Sequence, residues 1–132
     1  MNAINNILIN SLRKNTIPPF FLDKKYIEEN CNDQFSTINN DVFVIYNNGY
    51  KLEISYYKNP SKLHYISFEK LDDNFQDLFL DNDIDTVNEN LKMTLNKTLH
   101  VDKDYYLGNF KFIFDEGLLE SIFYQPSEVD KI

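Results

Sequence analysis

One cysteine, Cys31, leaves no room for an internal disulfide framework and fits a reducing compartment. Glu28, Glu29 and Asp33 surround it, and an acidic setting disfavours the thiolate that a nucleophile needs. The three glycines stand alone at Gly49, Gly108 and Gly117, so no phosphate loop, nucleotide fingerprint or nucleophile elbow can be built. Prolines number only four and tryptophan is missing. So few backbone punctuators predict long runs of regular structure. No apolar stretch approaches the roughly 18 residues that a membrane-spanning helix needs. The opening residues 1–10 lack a basic start, and Asn5, Asn6 and Asn10 interrupt their apolar run, so no signal peptide is expected. These absences predict a cytoplasmic protein that makes no use of a membrane.

Positive charge is also short. Lys and Arg total 13 against 21 Asp and Glu, a formal net charge of −8. The basic residues form no stripe, which argues against nucleic acid as a partner. What is abundant is aromatic: nine Tyr and eleven Phe, within a hydrophobic share of 42%. That is too apolar for a disordered chain. The 132 residues fit one domain, 1–132, which at this length buries roughly two-thirds of its unfolded surface.

Periodicity predicts the elements. Ile4, Ile7, Leu8 and Leu12 fall on one face of a helix, which Asn15 and Pro18-Pro19 end. Asp23 caps a brief second helix carrying Tyr26 and Ile27, and residues 31–40 read as polar loop. Residues 41–46 form a strand apolar on both faces, and Asn48-Gly49 turns it into an alternating strand over 50–57. A third strand covers 62–69. Asp72 or Asp73 then caps a helix bearing Phe75, Leu78 and Phe79, and Asp85 caps another bearing Val87, Leu91 and Leu95. Residues 100–104 read as loop. A last hairpin, 109–115 and 118–125, turns at Asp115-Glu116-Gly117 and leaves a short tail, 126–132. The fold class is therefore α+β: an antiparallel five-stranded sheet with helices packed mainly on one face.

Asp81, Asp83 and Asp85 match the first ligands of a calcium loop, but Thr86 stands where glycine is required and Lys92 where the bidentate glutamate belongs. The two histidines, His64 and His100, lack any local metal-pair spacing, so no metal or other cofactor is expected. Flanked by Lys62 and Lys103, they suggest acid–base cleavage of RNA, which the surrounding acidity opposes. The chain does not read as an enzyme.

The loud feature is one acidic window. Glu69, Asp72, Asp73, Asp77, Asp81, Asp83, Asp85 and Glu89 are answered only by Lys70. Acids at helix starts stabilise those helices, so part of the cluster is local. The remainder projects a field that steers cationic partners. The candidate partner-binding residues are Asp72, Asp73, Asp77, Asp81, Asp83 and Asp85.

In size, acidity, AT-rich composition, single α+β domain and Phe-rich terminal hairpin, the chain resembles bacterial immunity proteins of polymorphic and contact-dependent toxin systems. It carries no diagnostic motif, so no family residue transfers. The resemblance implies a monomer that binds and neutralises a basic toxin domain, in the usual case a nuclease. The order of elements also resembles acidic effector-binding chaperones of type III secretion, which are dimers. Those close with another helix, and here only 125–132 follows Tyr124.

Overall fold

A computed structural model describes residues 3–30, 35–39, 41–58, 62–71 and 74–126. Cys31, Asp72, Asp73 and the tail 127–132 lie outside the described residues. Helix α1 (Ala3–Lys14) forms where the apolar period predicts it and buries Ile4, Leu8 and Leu12. Its Ser11 satisfies a buried hydroxyl internally, donating to the Ile7 carbonyl at 2.6 Å. Asn15, at φ 58°, ends the helix in the left-handed region. After Pro18, a 3₁₀ turn (Pro19–Leu22) drives Phe21 into the core. Helix α2 (Lys24–Asn30) is capped by Asp23, whose Oδ1 accepts from the Lys25 and Tyr26 amides at 3.1 and 3.3 Å. Lys24 ties α2 to the sheet through Asp41 at 3.1 Å.

The strands are β1 (Phe35–Asn39), β2 (Val42–Asn47), β3 (Tyr50–Tyr56), β4 (Leu63–Lys70), β5 (His100–Asp102), β6 (Asp104–Leu107), β7 (Phe110–Asp115) and β8 (Leu118–Tyr124). They make one antiparallel sheet of eight, not five, in the order β1-β2-β3-β4-β8-β7-β6-β5. Each half is a meander of sequence neighbours, and the halves meet where Phe68 pairs Ile122 and Ile66 pairs Tyr124. The three strands beyond expectation lie at the sheet's outer ends, where a polar segment needs only a neighbour's hydrogen bonds. Residues 100–104 are accordingly strand and turn rather than loop. The two short hairpins do turn at Asn48-Gly49 and Glu116-Gly117, with φ positive at all four residues, as the right-handed twist of the strands requires.

Alternation sends Leu52, Ile54, Ile66, Phe68, Phe110, Phe112 and Ile122 to one face of the sheet. They join the apolar faces of α1, α2 and helix α3 (Ile84–Leu95) in a single core. The helices thus share one side of the sheet. The opposite side carries Lys51, Glu53, Tyr65 and Glu69. No helix among the described residues is long and apolar enough to cross a membrane.

The helix expected around Phe75, Leu78 and Phe79 does not form. Described residues 74–82 are turns wound about the side chains of Asp77 and Asn82. Asp77 Oδ2 accepts from the Phe79 and Leu80 amides at 2.9 Å each, the local competition with helix that aspartate offers. Asp81 N donates to Leu119 O at 2.8 Å and Leu119 N to Asn82 O at 2.9 Å, so the segment is laced to β8.

Candidate functional site

The described acids of the window do not form one surface. Asp77 is buried, at 9% exposure. Besides the two amides, it accepts the Tyr50 hydroxyl, so its carboxylate is spent inside the fold. Burial first, then that hydrogen bond and the nearby charge, hold the Tyr50 hydroxyl well above the ordinary tyrosine range. As a partner contact Asp77 is corrected. Asp83 is the N-cap of α3, where Asp85 had been expected to cap: Asp83 Oδ1 accepts from Thr86 N at 2.8 Å. That backbone hydrogen bond, then one from the Thr86 side chain, lowers its pKa below the usual carboxylate value. Asp85 is exposed in the first turn of α3. Asp81, at φ 68°, pairs with Lys70 Nζ at 2.9 Å. The Lys70 ammonium also lies over the Phe75 ring, 4.8 Å from its centroid.

What the fold builds instead is a depression of about 310 Å³ at the end of the β4–β8 seam. Four acidic residues line it, Glu69, Asp81, Asp115 and Glu120, with one basic residue, Lys70. They come from three parts of the chain. Glu69 lies on β4 opposite Ser121, Glu120 precedes that serine on β8, and Asp115 closes β7. Asp81 arrives from the 74–82 turns through its bridge to Leu119. Leu71 and Leu118, 55% and 47% exposed, supply apolar surface among the acids. Asp115 and Glu120 make no ion pair among the described residues.

Local reading missed Glu69, Asp115 and Glu120 as partners of Asp81, because what joins them is the pairing of β4 with β8.

Beside the depression, the uncovered sheet face holds an ordered polar network. Lys51 Nζ sits 3.7 Å from Glu53 and 3.6 Å from Glu69. Burial works against the Lys51 charge, yet Glu69, Glu53 and Tyr46 outweigh it and raise its pKa. The Tyr65 hydroxyl donates to Glu53; burial and that bond push its pKa up to about 12. His64 stacks on Tyr57 at 4.4 Å, while His100 lies on β5 with β8, β7 and β6 between them. At the usual strand spacing they are on the order of 20 Å apart, too far to share one proton transfer. Among the described residues no group of three or more His, Cys, Asp or Glu is placed to hold a metal. No family model matches the chain, and no curated protein or solved structure matches it.

Proposed function

We propose that this protein acts by binding another protein, as an immunity-type inhibitor of a basic toxin domain, a nuclease in the usual case. The observation that carries the reading is the depression that four acidic residues from three parts of the chain line together with Leu71 and Leu118. Such a surface suits a cationic, partly apolar partner. The net charge of −8 speeds encounter, the acids orient the partner, and the leucines hold it once water is displaced. Asp81 and Asp85 extend the acidic surface from the depression to the start of α3, with Asp83 between them as a cap. Inhibition then follows from occupation of the toxin's own cationic, phosphate-binding surface, with the acidic side chains standing in for the nucleic-acid backbone.

The test is co-purification with the product of the neighbouring reading frame at low and high salt, with growth scored when each protein is expressed alone and together. The expected outcome is a salt-sensitive complex and rescue from a toxic partner. The triple variant Asp85→Lys, Asp115→Lys, Glu120→Lys should slow association at least tenfold and flatten its salt dependence. All three side chains are exposed, so the variant keeps its fold. Unchanged association would remove the depression from the account. A complex with a harmless, partly unfolded secreted protein would favour the secretion-chaperone reading instead.

A further inference from the structure

On the side of the molecule formed by the end of α1 and the 3₁₀ turn, two hollows of about 430 and 330 Å³ adjoin, sharing Thr16, Ile17 and Leu22. The first runs past Lys14 and along Pro18 and Pro19; the second continues to Lys62, Tyr124 and Pro126. Each is of small-ligand size, and together they make an elongated groove. Three of the chain's four prolines stand in its walls. Their rings fix the backbone and offer no N–H, so the walls are apolar and already shaped before anything binds. Leu22 is 54% exposed and Ile17 is buried, giving an apolar wall above an apolar base.

The charge of this groove is opposite to that of the chain. Among the described residues Lys14 and Lys62 are the only ionic ones that line it, and none of the described lining residues is acidic. In a protein of net charge −8, a groove whose charged described lining is two lysines is complementary to an anionic ligand. Asn10 and Thr16 add polar groups along one wall, while the Ser11 hydroxyl is spent on the Ile7 carbonyl. We infer that the groove binds an extended segment of another protein that mixes aliphatic or aromatic residues with Asp and Glu. This site is separate from the acidic depression, and the inference does not rest on the function proposed for that depression.

A displayed library of random peptides, selected on the wild-type protein and counter-selected on Leu22→Asp, tests this directly. Peptides that seek the acidic depression bind both proteins and are removed. The expected survivors combine apolar and acidic residues. By fluorescence polarisation their affinity should fall at least tenfold in Leu22→Asp and in Lys14→Glu/Lys62→Glu, with the milder Leu22→Ser intermediate. Leu22 and Lys14 are exposed, so circular dichroism should report an unchanged fold. Basic survivors, survivors insensitive to the two lysines, or no enrichment would each overturn the inference. So would self-association of the wild type that Leu22→Asp abolishes, because the groove would then be an interface between two copies.

Discussion

Asp77 is the residue on which the link between β4 and α3 turns. Its carboxylate gathers the Tyr50 hydroxyl and the amides of Phe79 and Leu80, all away from water. Removing it leaves those donors buried and unpaired, at about 1–3 kcal/mol each before relaxation. Asp77→Ala should therefore lower unfolding free energy by roughly 3 kcal/mol in urea titrations, while exposed Asp85→Ala should change it little. Equal effects would mean that Asp77 is an ordinary surface acid. Tyr65 makes a second prediction, in pH. Its hydroxyl titrates at about 12 in the folded protein against 10.0 for an ordinary tyrosine. A raised acid pKa means that folding favours the protonated form. Its stabilisation is complete below pH 10 and is lost as pH rises through about 12. Ultraviolet titration should show a tyrosinate step near pH 12 that loses one tyrosine's amplitude in Tyr65→Phe, with the Tyr50 step lying higher; amplitude lost at the ordinary pH instead would contradict the Glu53 hydrogen bond.

At the level of elements, the end of α1 is tied to the turn joining β6 to β7. Asn109 N donates to Asn15 Oδ1 at 2.7 Å, and Asn109 Nδ2 donates to Asn15 O at 3.1 Å. Gly108 must be glycine on two counts. Its φ is +58°, and a Cβ there would stand 2.1 Å from the same Asn15 oxygen. Gly108→Ala should cost about 2 kcal/mol, and Asn15→Ala less, with faster hydrogen exchange at the Asn109 amide in both. Slow exchange preserved in both would show that the turn holds without the helix. Much of this level is legible in the sequence. The 3.6 period found α1 and α3, and Asn-Gly and Glu-Gly found both short hairpins. The outer strands were missed because β1, β5 and β6 carry little apolar alternation, and their pairing is supplied by a neighbour.

The whole molecule is two meanders sewn together at β4 and β8. Phe68, fully buried, faces Leu52 on one side and Ile122 on the other. Phe68→Ala should cost about 3–5 kcal/mol. Since one core runs through both halves, circular dichroism and amide exchange should report a single transition. Two separate transitions would mean that each meander holds its own core. The same seam makes the candidate site. Glu69, Asp81 and the last hairpin's Asp115 and Glu120 are distant in sequence, and the pairing of β4 with β8 and the bridge from Asp81 to Leu119 bring them together.

The amino-acid sequence by itself determined the composition-level facts: a strongly acidic, aromatic chain with alternating strands, a few amphipathic helices and two tight hairpins. Those follow from side-chain period and turn chemistry, which act over a few residues. Only the tertiary structure decided that Asp77 is internal, that Asp83 is a cap, and that acids from the last hairpin join Asp81 around two exposed leucines. It also gathered three prolines and two lysines into a groove at the opposite charge. Each of those depends on which distant strands pair, and pairing is settled by burying the largest common apolar face, a property of the whole chain.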